Sequence, residues 1–142
     1  MRAYNLYMTD GGINRNWTGK TILIAEDIHV NFLLLEAILK NTNVKLVWAR
    51  NGKEAVEICM KDDEIDLVLM DINMPVMNGL EAAAEIRKHK KDLPVIAQTA
   101  YELDYANEEF EKAGLTHVLS KPLMPEMTIK AIGKHLGVNG QI

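Results

Sequence analysis

A chain of 142 residues with 48% apolar and 25% charged residues has the make-up of one soluble globular domain. Its net charge of −4 argues against a nucleic-acid-binding surface, and its single cysteine, Cys59, excludes an internal disulfide. No apolar run approaches the roughly 18 residues of a membrane span, and the N-terminus lacks the apolar core of a secretory signal. The expectation is a cytoplasmic domain without direct membrane contact, free or part of a larger protein facing the cytosol.

Residues 1–19 show no periodicity and read as a linker or appended segment, with Trp17 a candidate to dock on the folded domain. From Lys20 the pattern changes, and residues 20–137 are expected to form the domain, with 138–142 a frayed tail. Thr21-Ile22-Leu23-Ile24-Ala25 is a short continuous apolar run that suits a buried parallel strand, and it ends in two acids, Glu26 and Asp27. Val30, Leu33, Leu34, Ala37 and Ile38 then recur with helical spacing, which predicts a helix with that face inward. Val44 to Ala49 reads as a second strand. Asn51-Gly52 with Glu54 marks a capped helix start, and Ala55, Val56, Cys59 and Met60 form its expected inner face.

Leu67-Val68-Leu69-Met70 is the third strand, ending in Asp71, after which Pro75, Asn78 and Gly79 turn the chain. Asn78 with Glu81 repeats the helix-start signal, and Leu80, Ala83, Ala84 and Ile86 make the next apolar stripe. Val95-Ile96-Ala97 runs into Gln98-Thr99-Ala100 as a fourth strand. A helix is expected over Asp104–Ala113, closed by Gly114. His117-Val118-Leu119 is a short fifth strand before Ser120-Lys121-Pro122. A last helix is expected over Met124–Leu136, with Ile129, Ile132 and Leu136 inward. Strands alternating with helices over short connections imply an α/β fold: one doubly wound five-stranded parallel sheet, order 2-1-3-4-5, with five helices.

In such a sheet the carboxyl ends of all strands share one edge, where ligands bind. Glu26, Asp27, Asp71, Thr99 and Lys121 each follow a strand and would converge there. Singly, each has a bland reading as a turn cap, a helix-dipole partner, a backbone-bonded hydroxyl or a solvated lysine. Five placements on one edge outweigh those readings. Three carboxylates in one cleft repel unless a cation joins them, and carboxylates that leave room for water suit Mg²⁺. Asp71 would act as a nucleophile toward a phosphoryl group whose oxygens Lys121 and Thr99 bind.

Ile24-Ala25-Glu26-Asp27, Met70-Asp71-Ile72-Asn73-Met74-Pro75-Val76-Met77-Asn78-Gly79, Thr99-Ala100 and Ser120-Lys121-Pro122 together resemble the receiver domain of two-component response regulators. The resemblance covers residues 20–137. It implies a flavodoxin-like receiver fold and transfer of a phosphoryl group from a histidine kinase's phosphohistidine, or through a histidine phosphotransfer protein, to Asp71. It implies Mg²⁺ held by Asp27, Asp71 and the backbone carbonyl of Asn73, with Glu26 acting through water, and a cis Lys121–Pro122 peptide. The wording around Asp71 is most similar to receivers of hybrid sensor kinases, with a free-standing response regulator as the alternative.

Two departures from the family pattern stand out. Glu26 replaces a common Asp and keeps the charge. Val118 occupies the position, three before Lys121, where the family usually has an aromatic switch residue. The threonine–aromatic coupling is therefore in question, and Tyr101 or Tyr105 is the candidate substitute. Phosphorylation is expected to add roughly −1.5 to −2 charges at Asp71. It would bias a surface of the fourth helix, fifth strand and fifth helix, which is also a candidate dimer face. Tyr101 is expected to hinder the hydrolytic water and prolong the phospho-form. A phosphatase using an aspartyl intermediate would want an acid two residues after the nucleophile, where Asn73 stands. A nucleotide or flavin module would want a glycine-rich loop after the first strand, where Glu26-Asp27 stands.

Overall fold

A computed structural model describes residues 15–100 and 107–138. Five strands, β1 (Thr21–Ala25), β2 (Lys45–Ala49), β3 (Leu67–Asp71), β4 (Val95–Thr99) and β5 (His117–Ser120), form one parallel sheet in the order β2-β1-β3-β4-β5. Five helices alternate with them: α1 (His29–Leu39), α2 (Gly52–Lys61), α3 (Gly79–His89), α4 (Asn107–Lys112) and α5 (Pro125–Leu136). The fold and strand order expected from the sequence are those observed.

Strand alternation divides the core into two layers. Ile22, Ile24, Leu67 and Leu69 point to one face and pack with Phe32, Leu35 and Leu39 of α1 and Ile132 and Leu136 of α5. Leu23, Ala25, Val68 and Met70 point to the other and meet Ala55 and Cys59 of α2 and Ala82, Ala83 and Ile86 of α3. The central strands β1 and β3 are buried along their whole length, which is why they read as unbroken apolar runs. Trp17 is buried in the α1–α5 layer, and its backbone N–H donates to the Thr42 carbonyl.

The inward face of α1 differs from the sequence expectation. Phe32, Leu35 and Leu39 are buried and Ile38 is half-buried, whereas Val30, Leu33, Leu34 and Ala37 face solvent. The helix carries apolar residues on both sides, so periodicity alone marked a stripe without saying which stripe the sheet would take. Met60 on α2 is likewise exposed; the turn it was assigned to is covered by Cys59 and Ile58 instead. The last helix starts at Pro125, with Met124 as its N-cap. The expected start of the fourth helix at Asp104, together with Tyr101 and Tyr105, lies outside the described residues.

Candidate active site

The sheet brings the strand-end residues together at its carboxyl edge. Asp71 closes β3, where its register partner on β4 is Gln98. It is buried, and its backbone is held from behind by α3: a methyl group at Gly79 would come within 2.2 Å of the Asp71 carbonyl oxygen. Only glycine allows this approach. The Asp71 carboxylate accepts from the Asn73 backbone N–H at 3.2 Å and from Lys121 Nζ at 3.2 Å, both on Oδ1. Lys121 follows β5, and its own N–H donates to the Thr99 carbonyl, tying the ends of β4 and β5 together. The peptide between Lys121 and Pro122 is cis.

Glu26 and Asp27 leave β1 beside Asp71, at the point where the strand order reverses. One carboxylate oxygen from each of Glu26, Asp27 and Asp71 lies within 4.8 Å of the others. Glu26 is fully buried. Its Oε2 accepts from the Ile28 N–H at 3.2 Å and from the Asn31 side chain at 3.5 Å, while Glu26 Oε1 and Asp27 Oδ1 are buried without a hydrogen-bond partner. Burial, then the charge of Asp71, pushes the Glu26 carboxyl up to about 7. Two orphaned acid oxygens and a carboxyl held against ionisation are what a small oxygen-seeking cation would relieve. The donor set fits Mg²⁺: Asp27 and Asp71 would hold it, with Glu26 close enough to act through water.

Thr99 is buried at the end of β4, in register with Ser120. Val118 is half-buried and packs with Ile72, Ala97 and Phe110. Among the described residues, the aromatic ring in this layer is Phe110 of α4, which sequence reading did not single out.

Three more residues were missed. Trp48 on β2 donates its indole N–H to the Glu26 backbone carbonyl at 2.7 Å. His29 and Phe32 stack on that indole at 4.9 and 4.7 Å, and the Arg50 guanidinium lies 4.6 Å from its centroid. Asn31 supports Glu26, and Gln98, buried with an unpartnered amide nitrogen, lines the adjoining cavity. That cavity, of about 430 Å³, runs from Glu26 and Lys121 past Pro122 to Leu34 on the exposed side of α1. Only the β2 position of Trp48, next to β1, could have hinted at its contact.

A deep acidic notch, a lysine and a hydroxyl at the switch point of a five-stranded parallel sheet define a receiver-like site. The chain belongs to the response regulator receiver domain family, whose model matches residues 22–133. It is 37% identical over 103 residues to the autoinducer 2 sensor kinase/phosphatase LuxQ of Vibrio parahaemolyticus, covering 72% of this chain and 12% of that protein. The chain thus spans about an eighth of that relative's length. Among solved structures it is similar to the receiver domain of a sensor histidine kinase from Pseudomonas aeruginosa, with a TM-score of 0.77, 30% identity and coverage of 84% and 99% of the two chains. That crystal structure has a magnesium ion coordinated in its active-site cleft. The response regulator TrrA of Thermotoga maritima, in complex with Mg²⁺ and BeF, gives a TM-score of 0.74 at 31% identity over 82% and 98% of the chains. Among the described residues, no helix is long and apolar enough to cross a membrane.

Proposed function

We propose that this domain accepts a phosphoryl group on Asp71 from a phosphohistidine, on a histidine kinase or a histidine phosphotransfer protein, with Mg²⁺ as cofactor. The carrying observation is the buried Asp71 carboxylate with Lys121 Nζ at 3.2 Å and two orphaned acid oxygens beside it. An Asp71 oxygen forms its bond to phosphorus as the phosphorus–nitrogen bond breaks. The electron pair stays with the imidazole, which takes a proton from solvent. Bound at the acids, the metal supplies charge neutralisation for the incoming phosphoryl oxygens. Lys121 exchanges its contact with Asp71 for one with the transferred group, the Asn73 N–H orients the nucleophile, and Thr99 places a hydroxyl-bearing residue at the neighbouring strand end. Lys121 and Thr99 are joined through the backbone, so a shift in one moves the other.

The acceptor site has an apolar border. Ile28, Val30, Leu33, Leu34 and Val76 are exposed around the notch and along α1, which supports docking of a helical phosphodonor there. Likeness to LuxQ and to the Pseudomonas aeruginosa sensor kinase receiver supports a hybrid sensor kinase as parent, while TrrA is a response regulator and keeps the free-standing alternative. On the output side, Val118 against Phe110 leaves β5 and α4 in contact without an aromatic on the strand, so the reading is that Phe110 carries the movement of Thr99 into α4.

The test is incubation with Mg²⁺ and acetyl phosphate, followed by intact-mass measurement. The expected result is one phosphoryl group per chain, lost on adding EDTA beforehand and absent in Asp71→Asn. An unmodified wild type, or full modification of Asp71→Asn, would overturn the reading.

A further inference from the structure

At the edge of the sheet opposite the acids, two imidazoles meet. His117 opens β5 and shares the face of Leu119, which packs toward α5; His135 lies in the last turn of α5. Their ring centroids are 5.4 Å apart with planes inclined by 39°. His117 is exposed and His135 is half-buried, so both residues reach solvent. Nothing in the phosphoryl chemistry of the opposite edge uses them.

We propose that His117 and His135 form a second cation site, which chelates a late first-row divalent ion (Zn²⁺, Ni²⁺ or Cu²⁺) with water completing the shell. The spacing carries this. A metal-bound imidazole nitrogen lies about 2.0–2.1 Å from the ion, which sets each ring centroid about 3.2 Å away. With one nitrogen of each ring turned to the ion at a tetrahedral angle, two such centroids would be about 5.2 Å apart, a spacing the 5.4 Å between the rings accommodates. The pair also rests on rigid parts, since β5 is laddered to β4 and α5 is anchored by Ile132 and Leu136. A chelating imidazole must be neutral. Burial, then His117 and Lys134, hold His135 below its ordinary value, and none of these influences is a carboxylate that would favour the cation.

Ligand chemistry separates the two cation sites. Carboxylates and carbonyls select Mg²⁺, whereas imidazoles select the later, softer ions and ignore Mg²⁺. An ion at His117–His135 would pin the start of β5 to the end of α5. The site stands independently of the phosphoryl reading.

The experiment is calorimetric titration of the full chain with NiCl₂ or ZnCl₂ in excess Mg²⁺, which keeps the acids occupied. One ion per chain is expected, with a thermal midpoint raised by the metal. His117→Gln and His135→Gln should each weaken binding by at least about tenfold, the lower cost of losing even a supporting residue at a metal site. His29→Gln and His89→Gln should bind as the wild type does, and melts without metal verify that every variant folds. Absence of binding in the wild type, or unchanged binding in His117→Gln, overturns the proposal.

Discussion

Helices α1 and α3 are both 11 residues long and cover opposite faces of the same sheet, yet they are specified differently. α3 announces itself. Its capping box is complete, with Asn78 Oδ1 accepting from the Glu81 N–H at 2.9 Å and Glu81 Oε1 accepting from the Asn78 N–H at 3.1 Å. Its last turn holds Arg87, Lys88 and His89, which suit the negative end of the helix dipole. Of its expected stripe, Ala83 and Ile86 are buried and Leu80 and Ala84 half-buried, with Ala82 buried beside them. α1 starts at Ile28, which offers no side-chain cap; the buried carboxylate of Glu26 accepts the first N–H instead. Apolar residues run around most of its circumference. A helix fixed by its own sequence can serve as scaffold, whereas one fixed by its surroundings keeps a second apolar face for a partner.

The largest contrast lies within α1 itself. Leu35 is 2% exposed and its neighbour Leu34 is 54% exposed. Leu35→Ala should cost about 2–5 kcal/mol of stability, and Leu34→Ala should stay within about 0.5 kcal/mol, as read from urea midpoints at constant slope. Leu34→Asp should leave phosphorylation by acetyl phosphate intact while slowing transfer from a histidine phosphodonor protein. Equal losses at the two leucines would erase the distinction between the buried and the partner-facing sides of α1.

Helix starts give the next largest effect. Asn78→Ala should lower stability by about 1 kcal/mol, whereas Ile28→Asn should raise it by a few tenths to about 1 kcal/mol, since it adds a cap where none exists. Denaturant titration of both variants decides this, and stabilisation by Asn78→Ala would break the comparison.

A pH dependence comes from the buried carboxylate that precedes α1. In the metal-free protein the Glu26 carboxyl titrates near 7 rather than 4.5. Between those values the folded chain keeps a proton that the unfolded chain has lost, so stability falls as pH rises through this window and levels off above it. Melting in EDTA across that range should show the decline, and Glu26→Gln should flatten it. A wild-type profile as flat as that of Glu26→Gln would count against this assignment.

Much of this was legible in the residues. Continuous aliphatic runs gave away β1, β3 and β4 because those strands are buried on both faces, and the three acids and Lys121 meet at the carboxyl edge as topology requires. The inward face of α1 was not legible, because Val30, Leu33, Leu34 and Ala37 make a better helical stripe than the residues that are buried. Packing partners decide between two stripes, and they are distant in sequence. Trp48 escaped for a similar reason. Its partner, the Glu26 carbonyl, is a backbone group that no side-chain pattern reveals.

That indole contact makes the notch optically addressable. Of the two tryptophans, Trp17 is sealed in the α1–α5 layer, and Trp48 is bonded to the residue whose side chain enters the acid cluster. A cation that drew Glu26 inward would pull on an indole whose surroundings include a guanidinium, an imidazole and a carbonyl dipole. Trp48 emission is thus expected to change when the site is filled, while emission from the buried Trp17 stays constant.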